Sequence, residues 1–167
     1  MLKAFLSNPF AVRYGTRFGV AVAVLGVGLG ISMTLAGPIV YSMGAGIIAL
    51  VFGIFFVWMI GEAGHFTVQQ CGARDPGIAA GVIAASIGGL AFSLAFYTTG
   101  FVAGSPTHSF VMAALGDAVV TLGNVIAFSI LGAAIGAWGA NIAKTSHEKR
   151  EGAGPAPAVP PDAPPSA

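Results

Sequence analysis

From Phe18 to Gly61 the chain runs for 44 residues without one charged side chain. At about 1.5 Å per helical residue, that is far more than one passage through the ~30 Å apolar core of a bilayer. It suits two passages joined by a tight turn, and Ala36-Gly37-Pro38 supplies one. Glycine closes a helix and proline opens the next at its first position. A second charge-free run, Pro76 to Gly116, and a third, Ala118 to Ala143, repeat the pattern. The prolines outside the tail, Pro9, Pro38, Pro76 and Pro106, fall at or just outside the boundaries this implies.

The expected fold is therefore all-α: a polytopic membrane protein with four transmembrane helices packed as a compact bundle. The spans are expected at 18–36, 38–61, 76–99 and 110–143, with a loop at Gly100–Ser109. Residues 1–17 form an N-terminal cytoplasmic or interfacial segment, with Met1–Asn8 as a short interfacial helix. The first apolar run is longer than the 7–15 residues of a signal-peptide core, so it is read as a retained span. Residues 144–167 form a cytoplasmic tail. From Glu151 onward this tail holds six prolines in 17 residues and is expected to be disordered or polyproline-like.

Composition agrees. Of 167 residues, 56% are hydrophobic and 8% charged, against about 25% charged in an ordinary soluble domain. That excludes a typical globular enzyme. A net charge of +1 excludes a phosphate-backbone binder, and one cysteine excludes an internal disulfide.

All seven Lys and Arg residues fall on one side of the four-span scheme. Lys3, Arg13 and Arg17 precede span one, Arg74 lies between spans two and three, and Lys144, Lys149 and Arg150 follow span four. By the positive-inside rule both termini are cytoplasmic and the protein resides in the cell membrane. Tyr14, Trp58 and Trp138 then lie toward the cytoplasmic interface, and Tyr41 and Tyr97 toward the outer one.

Glycine is abundant, 25 residues in all. In lipid, small residues let helix backbones approach closely and gain dispersion contact. Stripes follow Gly15, Gly19, Ala23, Gly26 and Gly30 in span one, and Ser42, Gly46, Ala49 and Gly53 in span two. Span three carries Gly77, Gly81, Ala85 and Gly89, and span four carries Gly132, Gly136 and Ala140. These positions are read as helix-packing sites, within the bundle or toward other subunits. Gly19–Gly37 and Gly81–Gly100 share some spacing, as a duplicated hairpin would.

On span four, Asp117, Thr121 and Asn124 occupy one helix face. With Ser32, Thr34, Ser42, Ser93, Thr98 and Thr99 they make either a small outward-facing vestibule for a cation or proton, or a set of interhelical hydrogen bonds. Glu62, His65 and Gln69 share a face at the end of span two. A single Glu-x-x-His is half of what a helical di-iron site needs, so no metal is expected. No two histidines meet at membrane depth for haem, and Cys71 has no basic cluster to activate it. Gly26-x-Gly28-x-Gly30 lies inside a span rather than after a strand, so it is not a nucleotide loop. No cofactor and no catalytic constellation is expected.

Gly61–Gly64, Arg74-Asp75-Pro76-Gly77, Gly81–Gly89 and Leu131–Gly139 together resemble the texture of small four-span archaeal and bacterial membrane proteins of unknown function. The chain lacks the first-helix glutamate of small multidrug exporters and the Thr-Thr-Phe-Ser motif of fluoride channels. It also lacks the spaced Arg and Asp of the mitochondrial import translocases. The resemblance implies a topology and no activity. Two functions are carried forward. One is a non-catalytic, helix-packing or accessory subunit that associates with itself or with other membrane subunits. The alternative is a small homo-oligomeric channel or transporter for a cation or proton, using Asp117, Thr121 and Asn124.

Overall fold

The computed structural model describes residues 8–35, 43–103 and 110–152, and every element in it is α-helical. The helices are α1 (Pro9–Leu35), α2 (Met43–Cys71), α3 (Arg74–Ala103) and α4 (Phe110–Gly152). All four are long and apolar enough to cross a membrane. The Met1–Ser7 segment, the Ala36-Gly37-Pro38 turn, the loop from Gly104 and the prolines of the tail lie outside the described residues.

Helix α3 runs from Arg74 to Ala103, two residues before and four residues past its expected span, so the first part of the expected Gly100–Ser109 loop is helical. The larger departures from the expected span ends fall in three other places, each for a local reason. Helix α1 begins nine residues before Phe18 because Asn8 caps it. The Asn8 Oδ1 accepts from the backbone N–H groups of Phe10 and Ala11 at 3.0 and 3.2 Å, and Pro9 occupies the first helical position. Helix α2 continues ten residues past Gly61 because Glu62 and His65 are compatible with helix. It stops at Gly72, whose φ of +68° is left-handed and whose N–H donates to the Val68 carbonyl at 2.7 Å. Helix α4 continues through Lys144 to Gly152, since Lys, Glu and Arg are strong helix formers. Along that extension Thr145 and Ser146 return their hydroxyls to the carbonyls of Asn141 and Ile142.

Consecutive helices alternate in direction, so α1 runs parallel to α3 and α2 parallel to α4. Helices α2 and α3 each touch the other three, whereas α1 and α4 lie on opposite flanks without contact among the described residues. This is a lozenge rather than a square bundle. Arg13, Arg17, Arg74 and Lys144 consequently gather toward one end, called here the basic end.

The α1–α3 seam is built on alternating small and branched residues. Ala11, Gly15, Gly19, Val22, Gly26 and Gly30 are all buried along one face of α1. Ile83 and Ile87 of α3 fill the hollows at Gly15 and Gly19. Val22 in turn sits in the hollow left by Gly88. The core continues through Phe56, Ile60, Ala63, Ala80, Ala84, Ala85 and Ile135.

Candidate functional site

Two arrangements could carry function: a glycine node near the basic end, and a polar seam that runs from it toward the far end of α3 and α4.

At the node three backbones meet. A Cβ on Gly64 would fall 2.5 Å from the Gly136 carbonyl oxygen, and one on Gly77 would fall 3.0 Å from that of Gly64. A Cβ on Gly139 would collide with the Gly61 carbonyl. Gly81, Gly132 and Gly136 interlock likewise, and Gly89 receives the ring of Phe128. Because the atoms met are mostly backbone, no side-chain rotation relieves a substitution. Dispersion contact at this spacing is what small residues contribute between apolar helices.

The structure thus sets Gly19, Gly26 and Gly30 against α3, and Gly77, Gly81, Gly89, Gly132 and Gly136 between α3 and its neighbours. Gly46 lies on α2, but its surroundings fall outside the described residues. Gly53 differs: it is exposed, with open space where a Cβ would go. Helix α2 packs instead through Gly61 and Gly64, near its polar end. Their three-residue spacing beside Glu62 was the available signal, masked by the more regular run through Gly46 and Gly53.

The seam begins where the Ser86 and Ser129 hydroxyls meet at 2.7 Å. Each also lies within bonding distance of its own helix, at Val82 O and Val125 O. Each hydroxyl has one proton, so one of them donates across the interface while the other donates along its helix. Farther along, the Asn124 Nδ2 donates to the fully buried Ser93 Oγ at 3.2 Å. Thr121 and Asp117 continue the Asn124 face and are half-buried. Ser32 and Thr98 are exposed, so the seam does not extend to them. Among the described residues, no buried side-chain nitrogen or oxygen lacks a partner.

Beside the seam lies an apolar cavity of about 210 Å³, walled in part by Leu29, Phe56, Phe92 and Phe128. Its rings pack at 5.7 Å (Phe56–Phe128) and 6.3 Å (Phe92–Phe128). The pocket is half open rather than sealed, and its apolar wall gives an ion nothing to exchange for its hydration.

At the basic end, the Gln69 Nε2 and His65 Nε2 lie 2.8 Å apart, while Glu62 is half-buried one turn before His65. No group of three or more His, Cys, Asp or Glu residues able to hold a metal occurs among the described residues. Cys71 is half-buried, with its Sγ 3.7 Å from the Ala73 carbonyl oxygen.

No known family model, curated protein or solved structure matches the chain.

Proposed function

We propose that this protein is a non-catalytic subunit of a membrane assembly, inserted with both termini in the cytoplasm of the cell membrane. Its association surface is the far half of α4 together with the adjoining face of α2. The observation that carries this reading is the open space beside Gly53, Gly116 and Gly123. Most glycines on the helices meet a neighbouring helix, whereas these three, like Gly28 on α1, face open space, and three of the four lie on α2 and α4. In keeping with that, 11% of the α4 membrane-length window is buried, against 44% for α3. An approaching helix, from a second copy or a foreign subunit, gains at these positions the same close backbone contact that holds α2, α3 and α4 together.

Transport through Asp117, Thr121 and Asn124 has less support. The Asn124 amide is engaged with Ser93, and the neighbouring cavity offers only apolar groups. The collected positive charge at one end supports the orientation.

Native mass spectrometry of protein gently extracted from its own membrane tests the proposal. Co-purified copies or foreign subunits at fixed stoichiometry, dispersed by Gly123→Leu and retained in Asp117→Asn, are the expected result. A chain that is monomeric in that extract overturns it. Ion flux in liposomes that Asp117→Asn abolishes would establish the transport reading instead.

A further inference from the structure

The outward face of α1 is apolar except at one end. Arg13, Arg17, Val20, Val24, Val27 and Ile31 are all exposed and follow one another at spacings of four and three, opposite the buried small-residue face. Where Arg17 sits along the bundle follows from the α1–α3 seam. Gly15 faces Ala80 and Ile83, and Gly19 faces Ala84 and Ile87. Arg17 is therefore level with Val82 and Ile83, about 12 Å farther into the bundle than Arg74, which opens α3. Gly81 in turn faces Gly132 and Gly136. That puts Lys144 about 17 Å closer to the basic end than Arg17.

Arg17 thus stands deeper along the bundle than Arg13, Arg74 or Lys144, on an exposed face. With the helices spanning a bilayer it is the cation nearest the apolar thickness, where an uncompensated charge is costly. Side chains on a helix lean toward its N-terminus, so the Arg17 guanidinium reaches back along the face toward Arg13. Two cations one turn apart repel each other. Neither has an ion-pair or hydrogen-bond partner among the described residues. The nearest acids on the helices packed against α1 are Glu62 of α2 and Asp75 of α3, and neither pairs with them. The flank toward α2 is closed by aromatic rings: Phe66 stacks on Tyr14 at 6.1 Å and on Phe18 at 5.9 Å, with His65 edge-on to it at 6.0 Å.

We propose that Arg13 and Arg17 form a phosphate-binding site on the outward face of α1. The ligand is a phosphate anion, bound by two guanidinium forks that match its oxygens. A phospholipid headgroup and free inorganic phosphate both present this chemistry. The site rests on the helices spanning a bilayer, and not on the subunit reading above.

The test uses the full chain, reconstituted in vesicles of phosphatidylglycerol and phosphatidylcholine with matched acyl chains, then extracted for native mass spectrometry of retained lipid. Wild type is expected to keep one phosphatidylglycerol per chain. R13Q/R17Q should lower that retention about tenfold or more, R17K should fall between, and R74Q should match wild type. Inorganic phosphate offered to the detergent-solubilised chain without lipid separates the sources: phosphate retained by wild type and lost in R13Q/R17Q assigns the site to the free anion, and no retained phosphate assigns it to the headgroup. Equal retention in wild type and R13Q/R17Q overturns the site, as does an equal loss in R74Q. Both arginines are exposed, and R17K preserves the charge should the double variant fold poorly. Failure of the wild-type chain to float with the vesicles would remove the membrane reading together with the site. Flotation with unchanged retention in R13Q/R17Q removes the site alone.

Discussion

Gly81 and Gly132 hold the backbones of α3 and α4 so close that neither tolerates a methyl group. A Cβ on Gly81 would fall 2.5 Å from the Gly132 carbonyl oxygen, and a Cβ on Gly132 would fall 2.6 Å from that of Gly81. The relationship is reciprocal and made by backbone, so relief requires a helix to move. Gly81→Ala is therefore expected to lower stability by about 1–3 kcal/mol, the usual cost of overpacking. Gly28→Ala meets open space and should be neutral, or gain up to ~1 kcal/mol from helix propensity. Titration of helicity with SDS in mixed micelles reads both, and equal midpoints for the two variants would contradict the node.

The number of helices was legible in the charge gaps and in the positions of Pro9, Pro38 and Pro76, because charge marks where a chain leaves apolar surroundings. Helix ends were less legible. Charge does not end a helix, whereas Asn8, Gly72 and the helix formers after Lys144 decide where backbone hydrogen bonding starts and stops. Which glycines meet a neighbour was legible on α1, where Gly15, Gly19, Gly26 and Gly30 share one face. On α2 nearly every face is apolar, so periodicity did not separate the exposed Gly53 from the packed Gly61 and Gly64. The depth of Arg17 is a tertiary fact, visible only once α1 is registered against α3.

Asn124 and Ser93 make a direct side-chain bond between α4 and α3, with Ser93 fully buried and Asn124 half-buried. Bonds of this kind average about 0.6 kcal/mol in membrane proteins, because the separated helices also find partners. A double-mutant cycle of Asn124→Ala and Ser93→Ala should give a coupling energy of that size. A coupling indistinguishable from zero would mean that the bond does not form in the membrane.

The two-residue turn between α2 and α3 depends on Gly72, whose φ of +68° is costly for any residue bearing a Cβ. Gly72→Ala is expected to lose about 1–2 kcal/mol, with Gly72→Asn losing less because asparagine tolerates this region. Thermal unfolding in one detergent orders the three proteins. An alanine variant as stable as wild type would show that the turn can rearrange without loss.

Cys71 closes α2 at the basic end and is the chain's single cysteine, which makes it a native reporter of orientation. It is half-buried rather than sealed, so a maleimide has a route to the sulfur. If Arg13, Arg17, Arg74 and Lys144 mark the cytoplasmic face, a membrane-impermeant maleimide should label Cys71 in sealed vesicles with that face outward. It should fail in vesicles of the opposite orientation until detergent is added. The expected contrast is nearly all-or-none, because the reagent carries a charge that the apolar core excludes. Labelling confined to the opposite orientation would invert the topology. It would also place the Arg13–Arg17 pair in the other leaflet, where any phosphate it binds must then be sought.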